Sequence, residues 1–217
     1  MISPKLYKNG RTYDFFMKAL GYEGSIDRFL DHLDVDCRKD CHIMDAGCGT
    51  GILGLHFLER FPEATLHATD IEEGFLTATR ANAVRRGIDP DRLTLGVGDI
   101  SAPNVWKTLD GGIEDLPPET FDLICVGAVI GYATDTEASL RMLVDLLAPG
   151  GYLLNIEMNE SLTGRLVSNR YHYRNISLAR MNSVIEDAGC EIMSTPLRMK
   201  HLPAKLTRTA IVARKEG

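Results

Sequence analysis

The sequence predicts an α/β fold, a doubly wound and mainly parallel sheet with helices on both faces. Short strand-like runs alternate with helix-periodic segments from residue 42 to 194. Several of these runs are apolar almost throughout, as strands buried on both faces are. A glycine-rich turn, Gly47-Cys48-Gly49-Thr50-Gly51, joins the first run to the helix after it. Strands joined by helical crossovers imply a parallel sheet, and a ligand then belongs beyond the carboxyl ends of the strands, at the switch in strand order.

The elements follow in order. Thr12 to Leu33 has apolar residues at helical spacing (Phe15, Phe16, Ala19, Leu20, then Ile26, Phe29, Leu30, Leu33). Gly21 and Gly24 divide it into two short helices, which form an N-terminal helical cap within residues 1–40. His42 to Ala46 is the first strand, and Ile52 to Phe61 a helix stopped by Pro62. Thr65 to Thr69 is the second strand, ending at Asp70. Glu73 to Arg86 is a helix closed by Gly87. Arg92 to Val97 is the third strand, with Asp99 just beyond. Ser101 to Thr120 holds a short helix at best, then a loop with Gly111, Gly112, Pro117 and Pro118. Phe121 to Val126 is the fourth strand, Thr136 to Leu147 a helix, and Tyr152 to Glu157 the fifth strand. The polar stretch from Asn159 to Asn175 shows no period, and a substrate lid is expected near residues 158–176. Leu178 to Ala188 is a helix leading into strand Cys190 to Ser194, and Thr207 to Ala213 is the last strand. Residues 1–217 are expected to form one domain, with the core at 41–217.

Composition narrows the function. At 44% hydrophobic and 25% charged residues the chain is an ordinary globular protein. Its five cysteines, an odd number, fit a reducing compartment better than a disulfide framework, so a cytoplasmic location is expected. A net charge of −6 argues against a nucleic-acid partner. Charge is uneven, however: Arg165 to Gly217 holds ten Lys and Arg against four Asp and Glu. That basic third is a solvated face, an acceptor site for anionic groups, or a contact with a membrane surface. Cys37, Cys41 and His42 form a C-x3-C-H cluster without a second ligand pair in sequence, and no metal is expected.

The chemistry is concentrated in Asp45-Ala46-Gly47-Cys48-Gly49-Thr50-Gly51. Glycines at alternate positions let the backbone turn tightly and approach a ligand. The following helix N-terminus offers free N–H groups to a carboxylate. Asp70, nineteen residues after Gly51, stands where an acid accepts hydrogen bonds from a ribose diol. The same run contains Gly49-x-Gly51-x-x-Gly54, a dinucleotide fingerprint. Asp45 would crowd a pyrophosphate but suits an ammonium group, which tilts the reading away from a nicotinamide cofactor.

Ile43-Met44-Asp45-Ala46-Gly47-Cys48-Gly49-Thr50-Gly51 resembles the first motif of class I S-adenosyl-L-methionine-dependent methyltransferases. The resemblance extends through Asp70, Gly98-Asp99-Ile100, Phe121-Asp122-Leu123-Ile124 and Leu146-Leu147-Ala148-Pro149-Gly150-Gly151, in family order, over residues 40 to 214. It implies a Rossmann-like, seven-stranded sheet whose last strand is antiparallel, and S-adenosyl-L-methionine as cofactor. It also implies that Asp45, Gly47, Cys48, Gly49 and Gly51 hold the methionine end. Asp70 would bind the ribose with Ile71 on the adenine, Asp99 the adenine amino group with Ile100 beside it, and Val126 and Gly127 would underlie the methionine moiety. Tyr13 would cap the pocket.

The acceptor side is less marked. Tyr132 stands after the fourth strand, where many small-molecule members carry a histidine. Glu157 follows the fifth strand, and His172 lies in Arg170-Tyr171-His172-Tyr173-Arg174, basic and aromatic residues interleaved as in a lid over an anionic or aromatic acceptor. These three are the candidates for catalysis. The chain lacks the Asn-Pro-Pro-Tyr type of tetrapeptide, which favours a small-molecule acceptor over nucleic acid. A lipid-headgroup N-methyltransferase with peripheral membrane contact, and a cofactor-binding protein without transferase activity, are the alternatives. Oligomeric state has no signature.

Overall fold

The computed structural model describes residues 21–193 and 196–217. Its strands are β1 (His42–Ala46), β2 (Thr65–Asp70), β3 (Leu93–Gly98), β4 (Val105–Thr108), β5 (Ile113–Asp115), β6 (Phe121–Gly127), β7 (Leu147–Met158), β8 (Cys190–Met193) and β9 (Arg208–Lys215). They form one sheet in the order β5-β4-β3-β2-β1-β6-β7-β9-β8. β3, β2, β1, β6 and β7 run parallel, and β9 lies antiparallel between β7 and β8. Strand order reverses at β1, where the next strand in sequence lies on one side and β6 on the other, and this opens a crevice at the carboxyl edge.

The helices are α1 (Tyr22–Leu30), α2 (Ile52–Arg60), α3 (Glu73–Arg85), α4 (Thr136–Leu146), α5 (Leu162–Tyr171) and α6 (Leu178–Asp187). Side chains alternate across the strands, so the sheet carries two cores. Ile43, Leu66, Leu123 and Leu154 pack with Phe29, Leu30, Leu55, Phe57, Leu58 and Leu76 from α1, α2 and α3. Met44, Ile124, Val126 and Leu153 pack with Leu140, Leu143, Val144, Met181, Val184 and Ile185 from α4 and α6. Each of these large side chains contributes about 1.5–3 kcal/mol by leaving water.

Two stretches differ from expectation. Residues 101–120 carry an antiparallel meander, β4 and β5, rather than a helix. Trp106 of β4 packs over Gly96 of β3, where an added Cβ would fall 1.9 Å from the indole ring. The polar stretch after β7, which shows no period in the sequence, forms α5. Its N-terminus is capped by Ser161, whose Oγ accepts from Gly164 N. This helix has no apolar inner stripe: it buries Gly164 and Ser168 and leaves Leu162 and Leu166 exposed. Of the two helices expected before β1, the second is α1; the first, with Tyr13, lies outside the described residues, as does Ser194 at the end of the expected sixth strand. Among the described residues no helix is long and apolar enough to cross a membrane.

Candidate active site

The glycine turn follows from local backbone demands. Gly47, Gly49 and Gly51 have φ of +71°, +55° and +80°, the left-handed region that side chains disfavour. Gly47 N and Cys48 N both donate to Thr69 O at 2.8 Å, tying the turn to the end of β2. A Cβ at Gly47 would lie 2.5 Å from Val129, whereas one at Gly49 would meet nothing within 4 Å among the described residues. The turn is thus closed on the Gly47 side and open at Gly49.

The open side faces a cleft of about 150 Å³, lined by Asp45, Gly47, Cys48, Gly49, Thr50, Asp70, Ile71, Glu72, Gly127, Tyr132 and Arg208 among others. Asp45 is buried at 1% exposure, and its Oδ2 accepts from Gly54 N at 2.9 Å in the first turns of α2. Burial raises its carboxyl from 3.8 to about 7, a rise the Gly54 N–H opposes and the neighbouring Asp70 adds to. Asp70 is held by two backbone donors, Gly49 N to Oδ2 at 2.9 Å and Glu72 N to Oδ1 at 3.0 Å. Burial pushes its carboxyl up as well, against those N–H groups. The Cys48 thiol, pushed well up by burial, packs against the Thr79 hydroxyl at 3.6 Å.

Two carboxylates thus meet across a glycine turn with backbone amides between them. One is buried and has no cation beside it among the described residues, which suits an ammonium. The other is fixed by two amides at the cleft wall, which suits a diol. The aminoacyl end and ribose of S-adenosyl-L-methionine present these groups, so the residues fit that cofactor.

The remaining expected site residues divide. Ile71, 62% exposed, lines the cleft beside Asp70, and Gly127 forms part of its floor. Gly51 sits behind the cleft at the N-cap of α2, where its role is the turn itself. Asp99 is exposed and accepts from Ser101 N at 2.8 Å within its own turn. Ile100 and Val126 are core residues beneath the site. The three catalytic candidates are not brought together. Tyr132 lines the cleft and meets Tyr173 edge-on at 5.1 Å between centroids. Glu157 is buried at 2% exposure on the opposite face of β7 from the cleft residue Ile156; its Oε1 accepts from Ile130 N at 3.4 Å, while Oε2 has no partner among the described residues. His172 is exposed at the C-cap of α5 with φ +55° and is not among the residues that line the cleft.

Sequence reasoning missed Tyr22, Ile26, Glu72, Phe75, Ile156 and Arg208 as cleft residues. Glu72 follows Asp70 by two positions and was within reach of the motif. Arg208 opens a strand 138 residues after Asp70, and no local pattern marks it.

The sequence profile of the methyltransferase domain matches residues 44–153. A malonyl-(acyl-carrier protein) O-methyltransferase of Acetivibrio thermocellus is 25% identical over 146 residues, covering 67% of this chain and 45% of that protein. A ubiquinone/menaquinone biosynthesis C-methyltransferase of Idiomarina loihiensis is 26% identical over 179 residues, covering 80% and 65%. The chain therefore spans between about half and two thirds of the length of these relatives. In fold it is similar to an O-methyltransferase family protein from Burkholderia thailandensis, with a TM-score of 0.74, 16% identity, and coverage of 96% of this chain and 60% of that one. The chain belongs to the methyltransferase domain family, as a class I, S-adenosyl-L-methionine-dependent methyltransferase.

Proposed function

We propose that this protein transfers the methyl group of S-adenosyl-L-methionine to a small-molecule acceptor bound at the β6–β7–β9 end of the cleft. The observation that carries this reading is the pair Asp45 and Asp70 on either side of the open glycine turn. In this reading Asp45 pairs with the cofactor ammonium, and the amides of the turn meet its carboxylate. Asp70 accepts from the ribose hydroxyls, with Ile71 against the adenine. Asp99, which accepts from Ser101 N in its own turn and lies outside the cleft lining, is given no contact in this reading. The bound cofactor supplies an electrophilic methyl on a sulfonium. What the chain adds is alignment and exclusion of water, which can account for most of the rate. Tyr132 lines the acceptor side as a positioning group; Glu157 and His172 stay out of contact. Relatives named for a malonyl carrier conjugate and for quinone biosynthesis support a small acceptor.

Calorimetric titration with S-adenosylhomocysteine, with NADH as control, tests the cofactor assignment. The product is expected to bind, and Asp70→Ala to weaken it about tenfold or more, by loss of a charged hydrogen-bond acceptor. NADH binding without product binding overturns the reading.

A further inference from the structure

We propose that Arg208, braced on Tyr22, forms a subsite at the acceptor end of the cleft for an anionic group of the acceptor, a carboxylate or a phosphate. This rests on the reading of the cleft given above.

Position comes first. Arg208 opens β9 opposite Met158, near the end of β7. The order β1-β6-β7-β9 sets its backbone three strands from β1, about 14 Å at the usual strand spacing. Asp70 lies on β2, on the other side of β1. The guanidinium nevertheless lines the same cleft as Asp45 and Asp70, so it marks the end remote from the ribose acid.

Its own contacts leave it undersatisfied. The guanidinium carbon sits 5.4 Å over the Tyr22 ring, and Tyr22 Oη is hydrogen-bonded to Thr207 Oγ1 at 2.9 Å. This fixes the ring and holds the guanidinium plane. Nη1 donates to the Met158 sulfur, a weak acceptor. Among the described residues Arg208 makes no ion pair. A guanidinium carries five N–H donors, and a planar anion can take two at once. The carboxyl most subject to its field is Glu157, on the other face of β7. Burial pushes Glu157 up to about 8 despite the pull of Arg208. It is therefore largely protonated at neutral pH and leaves the arginine charge uncancelled. Lys205 adds a second positive charge along an adjoining groove that shares Arg208.

The cleft is consequently polarised along its length. Asp45, Asp70 and Glu72 make one end acidic, and Arg208 makes the other basic. An acceptor bearing an anion is repelled from the cofactor end and drawn to Arg208. That fixes its direction of entry and the face it presents to the methyl group.

The test uses protein saturated with S-adenosylhomocysteine, titrated calorimetrically with two probe pairs: 4-hydroxybenzoate against 4-hydroxybenzamide, and phenyl phosphate against phenol. At least one anion is expected to bind about tenfold more tightly than its neutral partner, as charge-assisted hydrogen bonds imply. The pair that shows the preference tells carboxylate from phosphate. Arg208→Met is expected to abolish the preference and Arg208→Lys to keep part of it, both with unchanged affinity for S-adenosylhomocysteine. Equal affinity for charged and neutral members, or binding of neither, overturns the subsite. So does loss of S-adenosylhomocysteine affinity in a variant that still melts cooperatively, since Arg208 would then be a cofactor ligand. Should the methionine variant fail to fold, Arg208→Lys carries the test, because it keeps the stem over Tyr22. Failure of the cofactor reading is seen separately, as no S-adenosylhomocysteine binding by the unaltered protein, and it takes the subsite with it.

Discussion

Replacing Asp45 by Asn removes one buried charge at nearly constant shape, and the structure sets the size of the effect. The carboxyl rises from 3.8 to about 7 on folding, so the fold holds this proton more tightly than the unfolded chain does. Such a group weakens the fold as pH rises through the interval between the two values. At about 1.4 kcal/mol for each pH unit of that interval, ionised Asp45 costs the unliganded protein about 4 kcal/mol at pH 8. At pH 5 the folded carboxyl is still protonated, and the cost is less than half of this. Asp45→Asn should therefore gain about 3 kcal/mol on the parent between pH 5 and pH 8. For a chain of this size that is about 6–12 °C in melting temperature. The same variant should bind S-adenosylhomocysteine about tenfold or more weakly at pH 8, having lost the partner of the ammonium. Calorimetric melting at the two pH values, with titrations on the same samples, reads both effects. A stability difference independent of pH, or unaltered affinity, would refute the assignment of Asp45 as a strained carboxylate awaiting a cation.

Glu157 raises the same question on the other side of the sheet. With its carboxyl raised from 4.5 to about 8, Glu157→Gln should gain about 2–3 kcal/mol on the parent between pH 6 and pH 9. Its S-adenosylhomocysteine affinity should stay unchanged, and urea melts at both pH values check the first part. Gly96→Ala should cost about 2 kcal/mol or more, because the new Cβ falls within the Trp106 ring and neighbouring backbone; indole fluorescence during unfolding reports it. Gly47→Ala meets both a φ of +71° and the Val129 side chain, so it should lower both stability and S-adenosylhomocysteine affinity.

The parallel core was legible in the sequence because its strands and helices satisfy local and global demands together. Ile43 and Met44 are apolar because both faces of β1 are covered, and the glycines of residues 47–51 are required by backbone conformation. Asp45 and Asp70 were legible for the same reason, since their positions at strand ends are fixed by spacing along the chain. What escaped was set by distant partners. β4 docks on β3 with Trp106 over Gly96, a contact no window of residues 101–120 contains, although its pairing with β5 is local. α5 packs on Gly164 and Ser168, so it lacks the apolar stripe that announces a helix. His172 lies outside the cleft lining, and Arg208 lines it without a local motif. Asp99 and Gly51 carry family motif residues, yet here their contacts are with their own turns.

The threading of β9 has a consequence for assembly. This strand lies between β7 and β8 and is hydrogen-bonded to both, so β8 cannot join the sheet until residues 208–215 have slid into place beside it. The glycine turn, Asp45 and Asp70 rest on β1, β2 and β6 and on Val129, all of which precede β9 in the chain. Arg208 enters the cleft with the last strand. The wall assigned to the nucleoside can thus be organised before the wall assigned to the acceptor exists, and closure of the sheet waits on a contact of long sequence separation, the slow class of folding event. Nascent or partly unfolded chains would then recognise the adenosyl moiety before they could discriminate among the molecules to be methylated.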